Sequence, residues 1–150
     1  MTSAVSDPAL AKRLILDELF DLSLYTALRE VARGGLRDVL DQLIPVETRH
    51  VGFWQEFFGL RIPTLDLRRR LKLRLLVGAA RLGGAPVIHL ILEAIEVYGV
   101  RKYLAVWKQY GGGPLAEAVR GIQNLTIIAA TVGITYLIGT ITKAVWGITV

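Results

Sequence analysis

The sequence predicts an all-α protein. Apolar residues recur at helical spacing through most of the chain, and proline and glycine mark where the helices begin and end. No segment shows the sustained apolar–polar alternation of a half-buried strand. Long helices joined by short turns favour an up-and-down bundle, in which consecutive helices pack nearly antiparallel. With 150 residues, the chain is long enough for one such domain with a buried core.

The first two predicted helices form a hairpin. Asp7 can cap a helix that starts at Pro8, and leucines at helical spacing continue this helix to about residue 33. A glycine pair ends it, and the second helix spans about residues 36–58 before another glycine. Pro45 lies inside the second helix, where it removes a backbone hydrogen bond and is expected to cause a kink.

Two more helices and a fifth helical stretch follow. The third helix is predicted over residues 65–82 with Thr64 as its cap, and it is short and basic. It is therefore expected to be the crossover between two hairpins. Pro86 opens the fourth helix, which continues to Tyr110. The Gly-Gly-Gly-Pro run at residues 111–114 is the strongest break in the chain, and the fifth stretch follows it.

The last thirty residues differ in composition from the rest of the chain. All 13 acidic residues lie at or before Glu117, and Lys143 is the single charged residue after residue 120. We therefore divide the sequence into a helical domain, residues 1–122, and an apolar C-terminal helix, residues 123–150.

The apolar C-terminal helix is expected to contact a membrane through residues 125–147. Residues 125–142 lack charge over a length near the lower limit of about 17–25 residues for a spanning helix. Lys143 and Trp146 suit a membrane interface. A buried bundle helix is the alternative, because a segment that is apolar all round also fits a protein core. The positive-inside rule places the helical domain in the cytoplasm, because basic residues precede the apolar run: Lys102, Lys108 and Arg120.

Much of the net charge of +5 is concentrated in the third predicted helix. A solvated face is the expected role of this basic stretch, and contact with anionic lipid headgroups is the alternative. Nucleic-acid binding is not expected, because aromatic residues are not interleaved with the basic ones. The absence of cysteine excludes disulfides, thiolate metal sites and cysteine nucleophiles. The basic residues of the third predicted helix are Arg68, Arg69, Arg70, Lys72, Arg74 and Arg81.

Acidic residues interrupt an apolar face of the first helix. Glu18, Asp21 and Tyr25 follow one another at spacings of four or fewer, so they share a face with Leu14 and Leu22. Acids on a stripe that faces the core destabilise a fold unless they are paired or bind a metal ion. A metal site is therefore one interpretation of this face.

Two other helices carry similar residues. Glu47 and His50 form an E-x-x-H pair, one turn apart, on the second helix. His89, Glu93 and Glu96 share a stripe of the fourth helix among apolar residues. An isolated E-x-x-H pair is usually a solvated pair, and a lone histidine is usually part of a core. Carboxylates and an imidazole from several helices are, however, the ligands of a di-iron centre.

These motifs resemble those of the ferritin and rubrerythrin superfamily. Residues 70–120 resemble, more narrowly, the ferritin-like domain attached to vacuolar-iron-transporter-type membrane proteins, and the whole resemblance covers about residues 10–122. It implies a four-helix bundle that binds iron, as Fe²⁺ or Fe³⁺, at a di-iron centre with ferroxidase-like oxidation chemistry. Manganese is a second candidate metal. The implied metal ligands are Glu18, Glu47, His50 and Glu96, with Glu93 as an additional rubrerythrin-like ligand.

The sequence departs from this pattern in the last bundle helix. A second E-x-x-H pair is expected near residues 123–130, where the chain reads Gln-Asn-Leu-Thr-Ile-Ile-Ala-Ala. Three interpretations remain open: a single-metal site, a site completed by a second copy in a homo-oligomer, and a decayed site. The rival hypothesis is a non-catalytic, membrane-anchored helical scaffold. A third hypothesis is a di-iron hydroxylase that acts on a lipid-soluble substrate, and this hypothesis requires a pocket beside the metal.

Overall fold

A computed structural model describes residues 7–110, 117 and 119–121 of the chain. Over these residues the backbone is helical and contains no strand, so the all-α prediction is confirmed. The long helices are α1 (Pro8–Val31), α2 (Gly35–Phe58) and α3 (Leu67–Tyr110). The predicted membrane contact through residues 125–147 lies outside the described residues.

The first two helices begin and end close to where the sequence predicts. The carboxylate of Asp7 accepts hydrogen bonds from the backbone N–H groups of Ala9 and Leu10, at 2.9 and 3.1 Å. It thereby caps α1 ahead of Pro8, as predicted. At the other end of the hairpin, α2 stops at Gly59, whose φ of 60° places it in the left-handed region that favours glycine. The α2 helix continues through its internal proline.

The cap of α3 differs from the prediction. Asp66, not Thr64, precedes the first helical residue, and its Oδ1 accepts a hydrogen bond from the backbone N–H of Arg69 at 2.8 Å. Both residue types cap helices, but the carboxylate also attracts the positive end of the helix dipole. The prediction that Thr64 caps this helix was therefore wrong by two residues.

Gly84 divides α3 into the two helices that the sequence predicts. Its φ of 63° and ψ of −151° are not helical, whereas the residues before and after it are helical. We call the two parts α3N, residues 67–83, and α3C, residues 85–110. The crossover role predicted for α3N stays a prediction.

The α1 helix lies against both α2 and α3. One apolar cluster joins all three helices through fully buried residues such as Leu24, Leu40 and Ile88. A second cluster surrounds Trp54 and includes Val119, a residue from beyond the glycine-rich break. The apolar core of the described residues thus extends along α1.

A large part of α3 remains uncovered. Its segment Leu67–Val106 is long and apolar enough to cross a membrane by length and composition alone, with 17% of the apolar window buried. A core helix of a soluble protein passes the same test of length and composition. The exposed leucines of α3N therefore require a separate explanation.

Candidate metal centre

Three potential metal ligands meet between α1 and α2. Glu18 comes from α1, and Glu47 and His50 come from α2, with ligand atoms that all lie within 4.8 Å of one another. The Nδ1 atom of His50 lies 3.2 Å from Oε2 of Glu47 and 3.4 Å from Oε2 of Glu18. All three residues are buried, with at most 9% of their surface exposed. The structure therefore contains a Glu–Glu–His group that could hold a metal ion.

Helix geometry accounts for this meeting. Glu47 and His50 lie three residues apart, so their side chains share one face of α2. Glu18 lies four residues after Leu14 and seven before Tyr25, and both of these residues are buried in the core. The apolar stripe that packs α1 onto the rest of the protein consequently carries Glu18 inward with it.

The three ligands border a cavity of about 30 Å³. This volume is enough for a single ion or water molecule. For metal–ligand bonds of about 2.0–2.2 Å, adjacent ligand atoms lie about 2.8–3.6 Å apart, depending on geometry. The distances of 3.2 and 3.4 Å from His50 Nδ1 fall within this range. Two of the three ligand spacings thus suit one cation, and the third, between the two carboxylates, is within 4.8 Å.

His50 also has a second ring nitrogen, which cannot bind the same ion as Nδ1. Its Nε2 atom is buried and has no hydrogen-bond partner among the described residues. Buried imidazole nitrogens in folded proteins usually have a protein, water or metal partner. The ring therefore has bonding capacity that the described side chains do not use.

The other acids that the sequence singles out divide into two groups. Glu96 and Asp21 line the same small cavity as the three ligands. Glu93, by contrast, is exposed and does not line the cavity. The structure therefore brings Glu18, Glu47 and His50 together with Glu96 at the cavity edge, and it leaves Glu93 outside.

A buried lysine also enters the cluster. Lys102 of α3C lies with its Nζ 2.9 Å from Oε1 of Glu18, and the Tyr103 hydroxyl donates to the same oxygen. The indole N–H of Trp54 in turn donates to the Tyr103 hydroxyl at 3.1 Å. Lys102 is therefore an internal cation. It no longer counts among the basic residues on which the positive-inside prediction of a cytoplasmic domain was based.

Lys102 and Tyr103 were missed as site residues, although the sequence holds a signal for them. Ile95, Gly99 and Lys102 continue the helical spacing of the buried Ile88. A lysine on such a stripe requires an acidic partner, because an unpaired buried charge is strongly destabilising. That requirement predicts an ion pair with one of the buried acids.

The cluster shifts the protonation of its members. Burial would raise the pKa of Glu18, but the charge of Lys102 and hydrogen bonds from His50 and Tyr103 bring it well below its usual range. Burial opposes the charge on His50, yet its contacts with the two glutamates raise its pKa to about 9. Burial raises the pKa of Glu47, and its hydrogen bond with His50 opposes that rise. In the absence of metal, the Glu18 carboxylate therefore lies between two cations, His50 and Lys102.

The other two acids hold their protons more tightly. Burial raises the pKa of Glu96 to about 7, and the charge of Glu47 adds to this shift. Burial also raises the pKa of Asp21 well above its usual range; Lys102 opposes the shift, and Glu18 and Glu47 reinforce it. Extra negative charge at this cavity is thus unfavourable until another cation arrives.

A larger groove of about 800 Å³ lies beside the small cavity. It runs between α1 and both parts of α3, and Asp21 and Ile95 line both spaces. Its walls are mainly apolar, with Arg68 and Lys72 at one end. A groove of this kind is what the hydroxylase hypothesis requires beside the metal site.

Comparisons with known proteins identify no relative. No protein-family model matches the chain, and neither the curated proteins nor the solved structures include a significant match. Membership of the ferritin and rubrerythrin superfamily therefore stays a prediction from the motifs. The fold and site define the class more broadly, as an all-α protein with a buried Glu–Glu–His group that could bind a metal ion.

Proposed function

We propose that this protein is an iron-binding, ferritin-like helical domain that acts at a membrane. The observation that carries the proposal is the group of three buried ligand atoms, from Glu18, Glu47 and His50, around a cavity of ionic size. Glu96 lines this cavity and is the expected fourth ligand. In this proposal α1, α2, α3C and the chain beyond residue 116 form an up-and-down bundle, and α3N crosses over between its two hairpins.

The donor set supports iron, with manganese as the second choice. Three carboxylates and one imidazole combine hard oxygen donors with a borderline nitrogen, which suits Fe²⁺, Fe³⁺ and Mn²⁺. Closed structural zinc sites are usually tetrahedral and rich in cysteine or histidine, and this chain has no cysteine and two histidines. The resemblance stated above favours iron between the two leading candidates.

Charge balance supports a single ion. With His50 neutral, one divalent cation and Lys102 balance the charges of Glu18, Glu47 and Glu96 in one cluster. A second divalent ion would leave the cluster with two uncompensated positive charges. The second E-x-x-H pair of a di-iron centre would have to come from a second copy in a homo-oligomer, because residues 123–130 offer no carboxylate or imidazole.

The proposed chemistry is iron capture, either for handling at the membrane or for ferroxidase-like oxidation, in which dioxygen or peroxide would accept the electron of Fe²⁺. Bound iron would supply the one-electron redox step. The chain's own residues hold the ligands: Lys102 and Tyr103 fix Glu18, and Trp54 fixes Tyr103. The apolar contacts around Trp54 limit access of water to this side of the site. We place the domain on the cytoplasmic side, with membrane contact through residues 125–147.

Anaerobic titration of the full chain with Fe²⁺ tests the proposal. The expected result is one iron per chain and a higher melting temperature, because a ligand that binds the folded state alone stabilises it. Glu47→Gln should weaken iron binding at least tenfold, whereas Glu56→Gln, an exposed residue of the same helix, should leave binding unchanged. Absence of bound iron, together with an unchanged melting temperature, would overturn the proposal.

The second candidate function is a membrane-anchored helical scaffold without a metal. The observation that favours it is the ion pair of Lys102 with Glu18, because this lysine already supplies a cation to the buried acids. For a scaffold, Fe²⁺ should leave the melting temperature unchanged at every concentration. The same titration therefore separates the two functions.

A further inference from the structure

One face of α3N carries four leucines that the fold leaves exposed. Leu67, Leu71, Leu75 and Leu82 are 76%, 58%, 66% and 93% exposed. At 3.6 residues per turn, their spacings of four, four and seven confine them to an arc of about 80°. They therefore form one continuous apolar stripe, which we call the leucine stripe. Such a stripe on an exposed helix is a sign of a binding surface.

The leucine stripe is separate from the face that α3N packs inward. Leu73, Leu76 and Ala80 contact the bundle core, and they lie on the opposite side of the helix at the same spacing. Packing inside the described part of the chain thus satisfies one apolar face of α3N and leaves the other in water. The leucine stripe is therefore not an extension of the described core.

Basic residues border the leucine stripe on both sides. By helical spacing, Arg68 and Lys72 lie along one edge, and Arg70, Arg74 and Arg81 lie along the other. All five are exposed. No acidic residue occurs in the sequence from Leu67 to Leu92. Two basic residues also contact α1: Arg69 pairs with Asp17 and with Asp66, and the Nζ atom of Lys72 lies 4.8 Å from the centre of the Phe20 ring.

We infer that α3N lies flat on an anionic phospholipid bilayer. The leucine stripe enters the boundary between headgroups and acyl chains, and the arginines of the two basic rows contact the lipid phosphates. A helix with an apolar stripe between basic rows matches this position, and a long basic side chain can reach the headgroups from either edge. This inference concerns α3 alone, so it depends neither on the iron proposal nor on the apolar C-terminal helix.

Charge argues for a bilayer over a second copy of the chain. Two copies joined face to face would bring together two pairs of basic rows, with no carboxylate on the stripe or its borders to offset their repulsion. The same rows argue against a transmembrane position, since arginine is disfavoured at the centre of a bilayer. An anionic lipid surface instead complements both the charge and the apolar stripe.

The absence of cysteine makes a direct test possible. In the full chain, Leu75→Cys would carry an environment-sensitive fluorophore, and Gln42→Cys, at an exposed polar position of α2, would be the matched control. Both labelled proteins would be reconstituted with phosphatidylcholine vesicles, with or without anionic phosphatidylglycerol. Emission wavelength and quenching by brominated acyl chains then report the depth of each label. Because each label reports its own position, insertion of the C-terminal helix does not determine the result.

The expected result is a blue shift and strong bromolipid quenching at position 75 in anionic vesicles only. High salt should reverse both effects, and the label at position 42 should remain in water in every vesicle. Adding Arg70→Gln and Arg74→Gln should weaken binding to anionic vesicles about 25-fold, at about fivefold for each charge. A label at position 75 that stays in water in anionic vesicles would overturn the inference. A label already shielded without vesicles would also overturn it, because a second copy or another part of the chain would then cover the stripe.

Discussion

Lys102 and Glu18 form an ion pair between helices far apart in sequence, with 2.9 Å between Nζ and Oε1. Their side chains are only 5% and 3% exposed. The pair connects α3C to α1 at the wall of the cavity that the candidate metal ligands share. A metal ion that binds Glu18 must therefore share this carboxylate with a lysine. The strength of that competition distinguishes a working metal site from a scaffold.

Lys102→Met tests this competition. Without metal, the variant should lose about 3–5 kcal/mol of stability, because Glu18 would remain buried without its partner. A divalent cation should restore most of that loss under the iron proposal, and it should restore none under the scaffold alternative. Urea denaturation with and without Co²⁺, used as a stable stand-in for Fe²⁺, measures both quantities. Lys108→Met, an exposed position on the same helix, should change stability by less than about 0.5 kcal/mol.

Metal affinity should rise with pH. A metal ion displaces the proton of His50, whose pKa lies near 9 in the metal-free protein. The apparent association constant should therefore increase about tenfold per pH unit between pH 7 and 9, and level off above pH 9. Co²⁺ titrations across this range measure the slope. The exposed Glu93→Gln variant should keep the same slope, and a pH-independent affinity would exclude His50 as a ligand.

The sequence is most informative where contacts are local. Glu47 and His50 lie one turn apart, so their proximity in the structure follows from helix geometry alone. The cap at Asp7 and the break at the glycine pair near Gly84 are likewise local signals, and the structure contains both. Thr64 and Asp66 show the limit of such signals, because two good capping residues lie two positions apart.

The sequence is least informative about contacts that depend on how one helix is rotated against another. Glu93 and Glu96 lie three residues apart on α3C, but only Glu96 reaches the cavity. Lys102 contacts Glu18, 84 residues away in the chain. The spacing from Ile88 to Lys102 marks one stripe of α3C, but which side chains this stripe meets depends on the packing of all three helices. The lysine and the tyrosine of the site were missed for this reason.

Glu96→Gln should change stability in a pH-dependent way. Folding raises the pKa of this carboxyl from 4.5 to about 7, first through burial and then through the charge of Glu47. Because the pKa is raised, the carboxyl makes its full contribution to the free energy of unfolding below pH 4.5. That contribution is lost as the pH rises to 7. Glutamine stays neutral, so the variant should match the wild type near pH 4.5.

Above pH 7 the same variant should be more stable than the wild type by about 1 kcal/mol, after allowance for screening of this half-buried group by solvent. Thermal or urea unfolding of the metal-free proteins at pH 4.5 and 8 provides the comparison. With Co²⁺ present, the wild type should instead be more stable than the variant above pH 7 if Glu96 is a ligand. Equal stability of the two proteins at both pH values would contradict the pKa shift.

Arg69 should contribute more to stability than its basic neighbours. Its guanidinium lies 2.5 Å from carboxylate oxygens of both Asp17 and Asp66, and it thereby connects α3N to α1. Asp17 is buried, and its Oδ2 already lacks a hydrogen-bond partner within the described structure. Arg69→Met should cost about 1–3 kcal/mol, because it leaves this carboxylate unpaired. Arg70→Met, at an exposed position, should change the urea midpoint only slightly, and equal effects of the two variants would refute the assignment.

The break in α3 should depend on glycine at position 84. Its φ of 63° and ψ of −151° lie in a region that residues with a Cβ rarely adopt. Although a Cβ at this position would meet no other atom within 4 Å, Gly84→Ala should still cost about 1–3 kcal/mol through backbone strain. Gly78→Ala is the matched control, since Gly78 lies inside α3N with equal free space around it. There, alanine should stabilise the helix by about 0.5–1 kcal/mol. Urea denaturation of both variants measures the contrast, and stabilisation by alanine at both positions would mean that α3 runs straight through residue 84.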